Sequence, residues 1–156
     1  MLVVLAGCSS VPGRSDTTGS DPLSQDEYVD EANEICQASQ AAASKVAAPS
    51  LADPAAVEQA IDETVAIQRR ALRKLRELEP PERDVPGVES WLDLTADAID
   101  QMEKIREGVA NGDREAITTA IDEGGVLVAD AEEFAAAYGL TECSTAEPDE
   151  DGQEAP

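Results

Sequence analysis

The chain has 156 residues, of which 34 are acidic and 11 are basic, so its formal net charge is −23. A surface this acidic argues against nucleic acid as a partner, because phosphate contacts need Lys and Arg. There is no His, which removes the commonest general base and the commonest metal ligand. We therefore expect no catalytic site, no metal site and no cofactor.

Near the N-terminus, Leu5-Ala6-Gly7-Cys8 resembles a bacterial lipobox, in which small residues precede a Cys that receives a diacylglyceryl group. Residues 1–7 are then the end of a signal peptide, and because no basic residue precedes their apolar run we expect further residues upstream. Two or more acyl chains, at ~0.8 kcal/mol per buried methylene, suffice for stable anchoring. The sequence thus predicts lipidation at Cys8 and a location on the extracytoplasmic face of the cell membrane. A chance match in a cytosolic chain is the alternative.

Three segments follow the predicted signal peptide. Residues 8–23 are rich in Ser, Thr, Gly, Asp and Pro and have no apolar period, which predicts a flexible tether. Residues 24–143 are long enough for one domain with its own core. Residues 144–156 are acidic and poor in apolar side chains, which predicts a disordered tail.

Capping residues and apolar periodicity predict four helices in the domain. Ser24 and Glu27 form a capping box before the first helix, which we expect to end near Ala47. Asp53 and Pro54 are a cap and a first-turn proline for the second helix, which is expected to reach residue 78 or 79 before a double proline.

The third helix is predicted to run from Val85 to the Asn111-Gly112 pair, and the fourth from its cap Asp113 to Tyr138. Residues at three- and four-residue spacing predict the buried face of the fourth helix. They are Ile117, Ala120, Ile121, Val128, Ala131, Phe134, Ala135 and Tyr138.

Short connections between these amphipathic helices predict an all-α fold, a four-helix bundle with up-down-up-down topology. In that topology the four aromatic residues fall toward the end from which the tether leaves; they are Tyr28, Trp91, Phe134 and Tyr138. Gly124-Gly125 lies inside the fourth helix, where each Gly costs ~1 kcal/mol relative to Ala. The pair indicates a kink or a close approach of two helices, with a ligand-facing backbone as the alternative.

Two cysteines remain once Cys8 is assigned to lipid. Cys36 lies in the first helix and Cys143 follows the fourth, so the two fall in the same half of the domain if residues 140–143 turn back along the first helix. Disulfides persist in the oxidising compartment that a lipobox implies. The sequence favours a disulfide between Cys36 and Cys143, and two buried free thiols are the alternative.

Two short signatures, together with the lipobox, resemble those of small secreted lipoproteins of actinobacteria. The first is Tyr28-(x4)-Asn33-Glu34-Ile35-Cys36, and the second is Tyr138-Gly139-Leu140-(x2)-Cys143. The resemblance covers residues 5–8 and 28–143. It implies a location, a helical domain and a disulfide, and it implies no activity.

Five of the 11 basic residues fall near the C-terminus of the second helix. They are Arg69, Arg70, Arg73, Lys74 and Arg76. One interpretation is a solvated face with ion pairs to Glu89, Asp93 and Asp97 of the third helix, each worth ~0–1 kcal/mol. The other is a contact site for anionic head groups or an acidic partner at the tethered end.

We expect a membrane-anchored, non-enzymatic lipoprotein that acts as an interaction or scaffold module for an envelope protein. Binding of a small ligand or of cations is the alternative. An apolar cavity near Trp91, Phe134 and Tyr138 would favour that alternative, whereas a solid core would favour the interaction module. Carboxylate pairs at helical spacing, such as Asp93 with Asp97, lack apolar surroundings, and we interpret them as solvated helix faces.

Overall fold

The structure is a computed structural model that describes residues 22–144. These residues form four α-helices, α1 (Gln25–Ala43), α2 (Pro54–Glu77), α3 (Val85–Asn111) and α4 (Arg114–Tyr138), followed by a 3-10 turn at Thr141–Cys143. The described part of the chain has no strand, so the predicted all-α class is confirmed. The predicted signal peptide, Cys8, most of the tether and most of the tail lie outside the described residues.

The helices begin where the capping residues predict. The Ser24 backbone N–H donates to Glu27 Oε2 at 2.9 Å, and the Glu27 N–H donates to Ser24 Oγ at 3.4 Å, which completes the capping box. Hydrogen bonds from the Ser24 hydroxyl and then from its backbone lower the pKa of Glu27, because they stabilise its ionised carboxylate. Asp53 caps α2 and Asp113 caps α4 through their side-chain oxygens.

α1 ends at Ala43, earlier than the expected end near Ala47. The Ser44 hydroxyl donates to the carbonyl of Ala41 at 3.1 Å, and the next two amides donate to carbonyls three residues back. A side chain that occupies a helical carbonyl competes with the backbone ladder, so the last turn tightens and the helix stops. As a result α1 has only 19 residues, which makes it shorter than α4 with its 25 residues.

Consecutive helices pack on one another, and α3 against α4 is the most extensive of these contacts. Ion pairs between α2 and α3 show that the two run antiparallel: Arg69 pairs with Asp100 and Glu103, while Arg76 pairs with Asp93. The core between the helices is mainly aliphatic, and its fully buried aromatic side chains are those of Tyr28 and Trp91.

α1 and α4 share almost no backbone contact. Their side chains meet at one end, where the rings of Tyr28 and Tyr138 lie edge to face with centroids 6.1 Å apart. Ile121 is therefore 53% exposed and Val128 is 41% exposed. The predicted burial of these two residues is wrong, because no helix covers that side of α4 in the described part of the chain.

The aromatic side chains collect at the end of the domain where the chain enters α1. Trp91 and Phe134 stack at 6.1 Å, and Phe134 and Tyr138 stack at 5.4 Å. The Leu23 backbone N–H donates to the Glu79 carbonyl at 2.9 Å, and the Leu23 side chain packs against the core. The predicted clustering of the aromatics is confirmed, and the folded domain includes Leu23, which the sequence analysis placed at the end of the tether.

After α4 the chain turns back along α1, as the cysteine positions predict. The Asn33 amide donates to the Gly139 carbonyl at 3.3 Å, and Asn33 Oδ1 accepts from the Glu142 N–H at 3.0 Å. The Sγ atoms of Cys36 and Cys143 then lie 2.05 Å apart, at disulfide distance. Gly139 has φ +97°, a left-handed conformation that ends α4 and lets this reversal begin.

Candidate functional site

An apolar groove with a volume of about 220 Å³ opens between α1 and α4, where the two helices lack contact. Its floor is formed by the core residues Leu72, Leu75 and Trp91, and the Trp91 indole is only 3% exposed. Small side chains from three different helices keep the groove open; they are Ala71 of α2, Ala98 of α3 and Ala131 of α4. The 3-10 turn and the disulfide form part of its wall.

The rim of the groove is polar and carries negative charge. Its charged residues are Glu132 and Glu142, and no Lys or Arg lines it anywhere in residues 22–144. Gln40 and Gln68 add neutral polar groups, and the Gln40 amide donates to the Glu142 carbonyl at 2.5 Å. An apolar floor below an acidic rim suits a neutral or cationic amphiphile and disfavours an anion.

The size of the groove limits what it can hold. An engineered cavity of ~150 Å³ binds benzene, and pockets for drug-sized ligands begin at ~300 Å³. The groove volume of about 220 Å³ lies between these two values. It therefore accommodates one apolar chain or ring, whose polar end would remain at the rim.

A cavity near Trp91, Phe134 and Tyr138 was the predicted sign of ligand binding, but the groove contacts only Trp91 of these three residues. Phe134 and Tyr138 fill the end of the domain with their stacked rings, and only Trp91 of this stack reaches the groove. Of the alanines that line the groove, only Ala131 was predicted to lie on a buried face; Ala71 and Ala98 carry no signal of a cavity, because Ala is a common helix former. The signal that could have found it is the polar Gln68 within the apolar stripe of α2.

The two tyrosines of the chain lie outside the groove, at the end of the domain where the aromatic side chains stack. Burial raises the pKa of Tyr28 to about 12, and its hydroxyl has no hydrogen-bond partner among the described residues. The pKa of Tyr138 is also raised to about 12, first by burial and then by its hydrogen bond to Asp84 Oδ2 at 3.0 Å. Both phenols are therefore neutral at physiological pH and serve as packing groups.

The basic cluster of α2 is divided into two sets. Arg69 and Arg76 form exposed ion pairs with carboxylates of α3. Asp93 is a partner as predicted, whereas Asp100 and Glu103 are the other partners instead of the predicted Glu89 and Asp97. Arg70, Arg73 and Lys74 form no ion pair within residues 22–144. Arg70 and Lys74 line a smaller cleft between α1 and α2.

Gly124-Gly125 does not line the groove. A Cβ built on Gly124 would lie 3.3 Å from Cβ of Gln101 in α3, whereas a Cβ on Gly125 would meet nothing within 4 Å. α4 is helical through both residues. Gly124 therefore marks a close approach of α4 to α3, which is one of the predicted explanations. At this point Gln101 Oε1 is buried without a partner in the described structure.

No group of three or more His, Cys, Asp or Glu side chains in residues 22–144 is placed to hold a metal ion. None of the described helices is both long enough and apolar enough to cross a membrane. In comparisons with known proteins, no family model, no curated protein and no solved structure matches this chain.

Proposed function

We propose that this protein is a lipid-anchored, non-enzymatic binding module on the outer face of a cell membrane, and that it holds an apolar chain in the groove between α1 and α4. In this proposal the four helices form an up-down-up-down bundle. Residues 8–23 are the tether, Cys8 carries the acyl groups, and residues 144–156 are a disordered tail. Location and anchoring rest on the lipobox, and binding rests on the groove.

The observation that carries the binding role is an apolar groove of about 220 Å³ whose floor reaches the core residue Trp91. A solid core would favour an interaction or scaffold module, whereas an apolar cavity favours ligand binding. The gap between α1 and α4 is such a cavity.

The ligand class follows from the lining. A chain in the groove replaces water on Leu72, Leu75 and Trp91, and each methylene removed from water contributes ~0.8 kcal/mol. Its polar end meets Glu132 and Glu142 at the rim. We infer that the ligand is an amphiphile with one unbranched apolar chain and a neutral or cationic head.

Calorimetric titration with octyltrimethylammonium, below its micelle concentration, tests this function. We expect saturable binding, weaker binding of octyl sulfate because of the acidic rim, and no binding of tetramethylammonium because it has no chain. Ala131→Leu fills the groove, and displacing two methylenes at ~0.8 kcal/mol each should weaken binding about 15-fold. The matched control is Ala129→Leu, an exposed position two residues away on α4.

Equal binding by the two variants would contradict a site in the groove, provided that both retain the helicity of the parent. Stronger binding of octyl sulfate than of octyltrimethylammonium would contradict the assignment of the head group. Absence of binding by the parent would remove the ligand-binding function itself.

Anchoring has a separate test in the full-length precursor. Cys8→Ser should abolish incorporation of a labelled fatty acid and leave an unprocessed precursor. Cys36→Ser retains Cys8 and is the control that should still be labelled. Equal labelling of parent and Cys8→Ser would contradict the predicted lipid site.

A second candidate function is the interaction module, and the exposed side of α4 favours it. Ile121 and Val128 lie seven residues apart on the same face, and Val128 also lines the groove. An envelope protein could contact this face with an apolar helix. A photo-crosslinking residue at Ile121 should then trap one discrete partner in intact envelopes, whereas the same residue at exposed Ala129 should not; equal capture at both sites would contradict a specific contact.

A further inference from the structure

A second cleft, with a volume of about 160 Å³, lies between α1 and α2 and shares the lining residues Ser39 and Ala71 with the groove. Its floor is apolar and mostly small; the uncharged lining residues are Ile35, Ala38, Ser39, Ala42, Ile67 and Ala71. Its charged lining residues are Arg70 and Lys74, with no carboxylate among those described. The cleft is therefore positively charged in a chain whose net charge is −23.

The two cations of the cleft are free to bind a ligand. Arg70 and Lys74 are four residues apart on α2, so their side chains project from the same helical face. Neither forms an ion pair within residues 22–144, whereas Arg69 and Arg76 on the neighbouring face are occupied by carboxylates of α3. Both residues are exposed, so an anion can reach them from solvent.

The cleft lies close to the end of the domain where the chain enters. Leu23 is fixed to Glu79, just after the end of α2. Lys74 and Arg70 lie one and two helical turns before Glu77, ~5 and ~11 Å along the axis. The first distance is shorter than the Debye length of ~8 Å at physiological ionic strength and the second is longer, so an anionic surface acts on both cations only when the α1–α2 side of the domain faces it.

We propose that the cleft between α1 and α2 binds the phosphate of an anionic phospholipid head group at the membrane surface. Arg70 would donate two parallel N–H bonds to phosphate oxygens, and Lys74 would supply a point charge beside them. The apolar floor accommodates the carbon atoms attached to that phosphate. The contact would turn the α1–α2 side of the domain toward the bilayer. It does not depend on a ligand in the groove.

Vesicle flotation tests this proposal, with the full chain carrying Cys8→Ser so that acyl insertion does not mask the surface contact. The probes are phosphatidylglycerol vesicles and phosphatidylcholine vesicles, at low and at physiological ionic strength. We expect binding to the anionic vesicles alone and a decrease in binding as salt rises. Arg70→Gln/Lys74→Gln should lower the partition coefficient about 30-fold, because each cation gains ~1 kcal/mol near an anionic surface and the variant loses two of them.

The control is Lys45→Gln/Arg114→Gln, which changes the net charge equally at two exposed positions outside the cleft. A nearer control is Arg73→Gln, since Arg73 belongs to the same helix end but does not line the cleft. We expect a large effect only from the pair in the cleft. Equal losses from the distant pair would show a general charge effect and overturn the assignment, and so would absence of binding by the parent.

Free glycerol phosphate distinguishes the lipid from a soluble source of the same chemistry. If it competes with the vesicles only at concentrations far above those of the lipid phosphate, the head-group assignment holds. If it binds through Arg70 and Lys74 while the vesicles do not bind, the cleft is a site for soluble phosphate compounds and the membrane proposal is overturned. Circular dichroism of each variant confirms that the helices are retained.

Discussion

The groove and the cleft lie next to each other along α1 and differ in charge. The groove has an acidic rim over an apolar floor that includes Trp91, and the cleft has two cations, Arg70 and Lys74, over a floor of mostly small side chains. Ser39 and Ala71 contribute to the lining of both. The contact of α1 with α2 thus separates a surface suited to a neutral or cationic amphiphile from one suited to an anion.

The two sites also depend on different contacts. α1 packs directly on α2, so the cleft is formed by the helix–helix interface itself. α1 is joined to α4 mainly through the 3-10 turn, the Cys36–Cys143 disulfide and the edge-to-face contact of Tyr28 with Tyr138. Changes at these connections should therefore alter the groove and leave the cleft intact.

Removal of the disulfide should have the largest effect. Cys36 and Cys143 are 107 residues apart, and the loss of a cross-link across so long a loop lowers the free energy of unfolding by about 2–5 kcal/mol. We expect Cys36→Ala/Cys143→Ala to release the 3-10 turn from α1, so that affinity for octyltrimethylammonium falls. Urea unfolding and calorimetry measure the two effects.

The cleft provides the internal control for this variant. Binding to phosphatidylglycerol vesicles should stay close to that of the parent at a temperature where the variant is folded. A loss of both activities in a folded variant would contradict the separation of the two sites.

Alkaline pH should have the next largest effect, at the aromatic end of the domain where Tyr28 and Tyr138 connect α1 with α4. The pKa values of Tyr28 and Tyr138 are raised to about 12 in the folded state, whereas that of an unfolded Tyr is ~10. Between these values the unfolded chain has lost phenolic protons that the folded chain retains, so the free energy of unfolding decreases as pH rises. Phenolate absorbance during urea unfolding reports this directly, because the chain has no other Tyr.

The control for the alkaline effect is Tyr28→Phe/Tyr138→Phe, which has no phenol to titrate. Its free energy of unfolding should show no corresponding decrease over that range. Folded protein whose phenols titrate near pH 10 would contradict the burial of this end.

Single Tyr→Phe changes should have smaller effects on the free energy of unfolding, with opposite signs for the two hydroxyls. The Tyr28 hydroxyl is buried without a partner among the described residues, so Tyr28→Phe removes an unsatisfied group and should stabilise the protein by about 1 kcal/mol. The Tyr138 hydroxyl donates to Asp84, so Tyr138→Phe should destabilise it by about 1 kcal/mol. Chemical denaturation measures both, and equal changes in the same direction would contradict the assigned geometry.

The glycine pair of α4 should give the smallest difference. Gly125→Ala meets no atom within 4 Å and should stabilise the helix by about 1 kcal/mol. Gly124→Ala should gain less, because its Cβ would lie 3.3 Å from Gln101 Cβ at the contact with α3. A larger gain at Gly124 than at Gly125, measured by thermal unfolding, would contradict the close approach of the two helices.

The helices and their connections could be predicted from the sequence because their signals are local. Ser24, Asp53 and Asp113 cap the helices that follow them, and Gly139 ends α4, through interactions within a few residues. The pairing of Cys36 with Cys143 follows from the small number of cysteines. These features require no knowledge of how the helices sit against one another.

The groove could not be predicted, because it depends on which helix covers which face. The apolar period of α4 shows that Ile121 and Val128 share a side, but it does not show that α1 is too short and too far away to cover them. The division of the basic cluster has the same origin: Arg69 and Arg76 find partners on α3, and Arg70 does not, for reasons of helix rotation alone.

Contact quenching of fluorescence detects whether an apolar chain occupies the groove beside Trp91. Trp91 is the only Trp of the chain, is 3% exposed and forms part of the floor. An alkyltrimethylammonium ion with a brominated chain should quench its fluorescence saturably in the parent and in Ala129→Leu, and much less in Ala131→Leu. Absence of quenching in the parent, or equal quenching in all three proteins, would contradict binding of the chain in the groove.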